Sequence, residues 1–255
     1  MSAAWLTAAF LAAISPGHVP QEWHGVLGYS DRGRAIRAHR YGDFSSPRTI
    51  LVVGCIHGDE CEGVTITKRL AQGAPPADLD LWIVHTLNPD GRRLGSRVNG
   101  RGVDLNRNFG SQWKASGRWW DPEHSGPRPW SERETLTARR LVLRARPDVT
   151  IWYHQPQDVV RAWGDSRATA RRYARLAGER FRSMRWPNGT APNWQNHRFP
   201  DAASFVVELP AGSLTAGRAA RHARAVRGLL SPRSAVPGPS PCLRGNEPAA
   251  RPPPR

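Results

Sequence analysis

The chain has 255 residues, 39% of them hydrophobic, a formal net charge of +16 and a pI near 11.3. That size suits one substantial core, and since no apolar run exceeds residues 3–14, an integral membrane protein is excluded unless that segment holds it. All of the 37 basic residues except Lys68 and Lys114 are arginine. Such a surface attracts anionic polymers, an acidic cell wall among them; without a zinc-finger, RNP-type or helix-turn-helix signature, no specific nucleic-acid recognition is expected.

Residues 3–14 (AAWLTAAFLAAI) have the length of the apolar region of a secretory signal peptide, although no Lys or Arg precedes them and no clean small-x-small site follows. A secreted or extracytoplasmic location is expected, with the alternative of a cytoplasmic protein whose N-terminal helix packs on the domain. Residues 1–23 are therefore set apart from one continuous α/β domain over 24–230. The remainder, 231–255, is rich in Pro and Arg, and its composition predicts a disordered tail.

Residues 24–40 read as two short strands around a turn at 30–33. Residues 49–53 (TILVV) predict a buried strand, and helical spacing resumes over 63–70. A second strand over 78–86 runs into residues 88–109 (NPDGRRLGSRVNGRGVDLNRNF), where five Gly and Pro residues predict about twenty residues of irregular, functional loop. The Trp-rich stretch 110–129 is expected to pack onto the body. Ser131 is placed as the cap of a helix to about Arg144, followed by a third strand over 148–153 that ends at His154. A helix over 165–184 buries Ala170, Tyr173, Leu176, Ala177 and Phe181 and turns Arg167, Arg171, Arg175 and Arg182 to solvent. Residues 184–201 read as loop, 203–209 (ASFVVEL) as a fourth strand with Glu208 at its end, and 214–230 as a last helix.

The chemistry collects at strand ends. His57 and Glu60 follow the strand at 49–53 as H-x-x-E, a spacing that lets an imidazole and a carboxylate share one Zn2+ about 2 Å from each. Alone, the motif is a weak signal, and the commoner reading is a strand-to-helix turn capped by Asp59 or Glu60. If the strands starting at 49, 148 and 203 are parallel, His57, Glu60, His154 and Glu208 share one rim of a sheet. Two His and a carboxylate with an open fourth position describe a catalytic zinc site, and the remaining carboxylate supplies a base. His85, inside a strand, reads as a core or edge residue.

Five segments in order, HGDE (57–60), NPDG (88–91), GVDLNRNF (102–109), WYHQ (152–155) and FVVEL (205–209), resemble the zinc metallocarboxypeptidases of the carboxypeptidase A type. The resemblance implies a three-layer α/β/α fold with a mixed, mainly parallel sheet and one Zn2+ per chain; a monomer is expected. It implies His57, Glu60 and His154 as zinc ligands and Asp104 as the acid that orients the first of them. Arg97 is implied to polarise the scissile carbonyl, Asn106 and Arg107 to grip a free substrate carboxylate, and Glu208 to be the general base. The substrate implied is a peptide with a free carboxylate. The digestive members carry a mobile tyrosine in the loop before the base; residues 184–201 contain none, and Trp194 is placed in part of that space. The shorter chain is similar to the compact bacterial branch that includes murein peptide amidases, which cut γ-D-glutamyl-diaminopimelate bonds. An N-acyl amino acid deacylase of the succinylglutamate desuccinylase or aspartoacylase type is the alternative enzyme, and a non-catalytic wall- or peptide-binding module the alternative outside enzymes. Cys55 and Cys61 flank the H-x-x-E turn, as a disulfide or as buried thiols.

Overall fold

The computed structural model describes residues 21–74 and 76–229, so the apolar segment 3–14, the tail 231–255 and Cys242 lie outside the described residues. The strands are β1 (Gln21–Tyr29), β2 (Ala35–Gly42), β3 (Thr49–Val53), β4 (Asp80–Val84), β5 (Val149–His154), β6 (Gln157–Ala162), β7 (Phe181–Ser183) and β8 (Ala203–Pro210). The helices are α1 (Gly63–Gln72), α2 (Pro89–Leu94), α3 (Arg133–Ala145), α4 (Ser166–Ala177), α5 (Ala191–Arg198) and α6 (Ala216–Gly228). The strands form one sheet in the order β1-β2-β4-β3-β5-β8-β6-β7. Its centre, β4-β3-β5-β8, is parallel; β2 and β6 flank it antiparallel, β1 pairs antiparallel with β2, and β7 pairs parallel with β6. This is the mixed, mainly parallel sheet expected, and none of the described helices is long and apolar enough to cross a membrane.

Every residue of β3 and β5 is buried, as continuous apolar strands covered on both faces must be. Successive residues of β5 mark the two layers. Tyr153 points to one face, where its hydroxyl meets that of Tyr173 on α4 at 2.7 Å and Tyr173 in turn meets His222 on α6. Trp152 points to the other, onto Phe109, which also packs on Trp130 and Trp194. On the first face α1 approaches so closely that a Cβ at Gly63 would collide with Tyr153 and the Gly54 carbonyl.

Several expectations are corrected. β1 starts at Gln21, so residues 21–23 belong to the domain. Residues 88–109 are not irregular throughout: α2 starts with Asn88 as its cap and Pro89 in its first turn and ends at Gly95 with φ 60°, start and stop signals present in the sequence. Ser131 does not cap α3; Glu132 stands at the N-cap, and the Ser131 hydroxyl donates to Glu132 Oε1. The helix predicted to 184 stops at Gly178 in the left-handed region, Leu176 is exposed, and Phe181 opens the short edge strand β7. β6 was not anticipated, and 191–198, read as loop, is α5. Trp119 and Trp120 are exposed rather than packed on the body.

The irregular stretch after α2 is held by Asn108, which is fully buried. Its amide donates to Ser125 O, Arg128 O and Ser131 Oγ at 2.8, 3.0 and 2.9 Å, and its carbonyl accepts from Thr135 Oγ1 at 2.8 Å. One side chain thereby ties three loop segments to α3.

A polar cluster closes the α4–α6 side. Glu179 accepts from Arg218 Nε and Nη2 at 3.0 and 2.8 Å, with His222 Nε2 3.2 Å away. Burial alone raises its pKa, but His222 and Arg218 outweigh it and hold the carboxyl at about 2, below the ordinary 4.5. A group depressed in the folded state stabilises the fold above its unfolded value and loses that contribution as pH falls. Glu179→Gln is therefore expected to lower stability at neutral pH, and the gap to wild type to shrink as pH drops from about 4.5 toward 2, measured by urea unfolding across that range.

Candidate active site

The turn after β3 carries His57 and Glu60, and its path is set by close backbone contact. Gly58 lies against the backbone of Gly91 in α2, where a Cβ would collide, and its N–H donates to Ser96 O at 2.9 Å. HGDE and NPDG, distant in the chain, thus form one packed unit. The sulfurs of Cys55 and Cys61 are joined as a disulfide across the turn, with Cα atoms 4.7 Å apart. β5 delivers His154 in register with Glu208 on β8.

One ring nitrogen each of His57 and His154 and a Glu60 carboxylate oxygen lie within 4.8 Å of one another. Glu60 Oε2 is 3.1 Å from His57 Nδ1 and 2.9 Å from His154 Nδ1. The opposite ring nitrogen of His57, Nε2, bonds Asp104 Oδ1 at 2.9 Å, so the carboxylate selects the tautomer with its proton on Nε2 and its lone pair on Nδ1. That Nδ1 is buried and has no hydrogen-bond partner among the described residues. An orphaned imidazole nitrogen converging with a carboxylate and a second imidazole fits a zinc ion, which His57, Glu60 and His154 would hold.

Asp104 is fully buried and also accepts from Arg97 Nε and Nη2 at 3.1 and 3.0 Å, while Arg97 Nη1 donates to Glu60 Oε1 at 2.6 Å. Burial raises the carboxyls of Asp104 and Glu60, yet the imidazoles and, for Asp104, Arg97 bring both well below the usual range. Burial lowers His57, but Asp104 and Glu60 outweigh it and push it up to about 9, so without a cation at Nδ1 the ring takes a second proton there, and a metal held at Nδ1 would displace that proton. Burial, together with the nearby His57, lowers His154. Glu208, with His57, Glu60 and His154, lines a cleft of about 290 Å3; burial pushes its carboxyl up to about 7 despite Arg161 Nη1 at 3.4 Å from Oε1. Its second oxygen, Oε2, is buried without a hydrogen-bond partner among the described residues.

Asn106 and Arg107 follow Asp104 in a single turn of 3-10 helix, Leu105–Arg107, capped by Asp104 Oδ1 on the Asn106 N–H at 2.8 Å. Asn106 is fixed by the Ala191 N–H on its Oδ1, with its Nδ2 3.4 Å from His154 Nε2. Arg107 Nη2 donates to Glu123 Oε1 at 2.8 Å, so the arginine expected to hold a substrate carboxylate is paired with a carboxylate of the chain itself. All eight residues expected at the site converge there. Trp194, expected beside the base, instead lies in the aromatic core with Phe109 and Trp130. Trp186 lines the cleft, together with Arg161 and Glu123. None of these three was anticipated: Arg161 is on a strand the pattern did not show, and Glu123 and Trp186 are in loops without local signal. His85 is half-buried just past β4 and bonds Thr67 Oγ1.

Murein peptide amidase A of Escherichia coli K12 is 33% identical to this chain over 117 residues, 42% of this chain and 48% of that protein. The match therefore spans about half the length of that relative. Among solved structures, carboxypeptidase A from Helicoverpa armigera superposes with a TM-score of 0.69 at 18% identity, over 82% of this chain and 67% of the other. The murein-tripeptide amidase from Escherichia coli O157 does so with a TM-score of 0.67 at 24% identity, over 85% and 94%. At these identities the superpositions establish the fold. A model of the zinc carboxypeptidase family matches residues 24–198, and with that match the chain belongs to the zinc carboxypeptidase family.

Proposed function

We propose that the protein is a zinc-dependent hydrolase that cuts an amide bond next to a free carboxylate, with a cell-wall peptide of the γ-D-glutamyl-diaminopimelate type as its substrate. The observation that carries this reading is the pairing of a three-ligand set, His57, Glu60 and His154, with a buried carboxylate, Glu208, in one cleft. A binding module needs no such base. The likeness to murein peptide amidase A supports the choice of substrate class.

His57, Glu60 and His154 would hold the zinc, which when bound lowers the pKa of water and polarises a carbonyl. Asn106 and Arg107 orient the substrate by its carboxylate; Arg107 exchanges Glu123 for the ligand as it does so. Glu208, raised by burial into the range where a carboxyl both accepts and returns a proton, takes one from the attacking water and delivers it to the departing amine. Arg97, held by Glu60 and Asp104, sets positive charge beside the developing oxyanion.

Zinc is expected to raise the melting temperature of metal-free protein, since a ligand of the native state at a hundred-fold excess over its Kd contributes about 2.7 kcal/mol. His154→Ala is expected to abolish that shift in a thermal melt. Mass spectrometry of products from γ-D-glutamyl-diaminopimelate peptides, ordinary peptides and N-acyl amino acids is expected to show diaminopimelate release, reduced by about 10²- to 10⁴-fold in Glu208→Gln. Release only from N-acyl amino acids would move the reading to a deacylase, and bound zinc without any cleavage to a binding module. Glu123→Gln removes the carboxylate that competes for Arg107, and because that pair is solvent-screened, KM is expected to fall about two- to five-fold with kcat little changed in steady-state assays.

A further inference from the structure

Six buried side-chain polar atoms among the described residues have no hydrogen-bond partner, and four of them belong to residues lining this cleft: His57 Nδ1, Glu208 Oε2, Arg161 Nε and Trp186 Nε1. The first two are accounted for by a metal and by the proton that Glu208 moves. The other two are donors that the reaction does not use. Buried donors without partners are uncommon in native proteins, and two in one cleft call for an acceptor.

Arg161 is placed by the sheet. It pairs in register with Val206 on β8, and Val206 and Glu208, two apart, share a face of that strand, so Arg161, Val206 and Glu208 line the same wall of the cleft. Its side chain is 21% exposed, and among the described residues its guanidinium makes one ion contact, the 3.4 Å approach to Glu208, and no hydrogen bond. Arg97 bridges two carboxylates, and Arg107 bonds Glu123 and the Asn106 carbonyl; of the two remaining arginines that line the cleft, Arg161 and Arg185, it is Arg161 that stands beside Glu208. Trp186 leads out from β7 over the same end of the cleft, whose backbone is tied to β6 through Met184 N–H on Ala162 O at 2.9 Å. Arg185 adds positive charge at the mouth.

We propose that Arg161, with the Trp186 indole N–H, is a specificity-determining subsite that receives a second carboxylate, carried on the side chain of the residue released by hydrolysis. A planar guanidinium with unspent donors matches a carboxylate in shape and charge, whereas an apolar or cationic side chain leaves it unpaired or repelled. The preferred departing residue is accordingly a dicarboxylic amino acid, one carboxylate on Asn106 and Arg107 and the other on Arg161. This rests on the zinc amidase reading for the orientation of the substrate and narrows its substrate class.

The test compares γ-D-glutamyl-diaminopimelate with γ-D-glutamyl-lysine, whose departing residues differ only in the distal carboxylate. A hydrogen bond to a charged group contributes about 1.5–3 kcal/mol, so wild-type kcat/KM is expected to favour the first about 10- to 100-fold. In Arg161→Gln that ratio is expected to collapse to within about three-fold, and in Trp186→Phe, which deletes one N–H and keeps the ring, to fall part of the way. A role confined to structure or to Glu208 slows both substrates equally and leaves the ratio intact; that result, or a wild-type ratio near one, overturns the proposal. If wild type cleaves neither substrate, the amidase reading fails. Calorimetry of free diaminopimelate against lysine on zinc-loaded wild type then still decides the subsite: tighter binding of diaminopimelate sustains it, and equal binding overturns it. The same titration serves if Arg161→Gln does not fold.

Discussion

The contact on which the site depends is the buried bond between His57 Nε2 and Asp104 Oδ1. It joins the turn after β3 to a segment 47 residues later, and it decides which imidazole nitrogen carries the proton. Because Asp104 is fully buried, its charge must be met on every side, and Arg97, the His57 ring and the Asn106 N–H meet it. Removing any of these partners leaves a buried charge short of compensation, a state that costs several kcal/mol. The carboxylate therefore fixes the ligand histidine, the arginine and the start of the turn bearing Asn106 and Arg107 at once.

The rim geometry has a simple origin. Parallel strands run in one direction, so the turns that follow β3, β5 and β8 open at one edge of the sheet. His154 and Glu208, register partners on β5 and β8, are neighbours for that reason alone. The antiparallel strand β6 then runs back along β8 and sets Arg161 beside the base. Metal ligands, base and a cation are placed by backbone hydrogen bonding, with the loops supplying what faces them.

Those loops are held by contacts that exclude side chains as much as by contacts that attract them. Gly58 against Gly91 allows two turns to touch along their backbones, and Asn108 satisfies three separate segments from one amide. The arginine-rich composition is mostly a wet surface: Arg167, Arg171, Arg175 and Arg182 face solvent, as helical spacing and strand position leave them. The arginines of the cleft differ because carboxylates, or the lack of them, surround them.

His57, Glu60, His154 and Glu208 were legible in the sequence because each stands where an apolar run ends, and strand ends in a parallel sheet converge. The layers were legible for the same reason, from TILVV, VTIWYH and ASFVVEL. Asp104, Asn106, Arg107 and Arg97 could be assigned only through the resemblance, since nothing local in a Gly-rich stretch marks which arginine or acid is buried. α2 carried a readable cap, Asn-Pro before and Gly after, whereas α5 has almost no amphipathic pattern and β6 and β7 are short edge-side strands. The tertiary structure alone decided that Trp194 joins the core while Trp186 lines the cleft, that Glu123 occupies Arg107, and that Arg161 stands beside Glu208. These depend on pairing register and on which loop covers which strand, long-range quantities to which the periodicity of a single segment is blind.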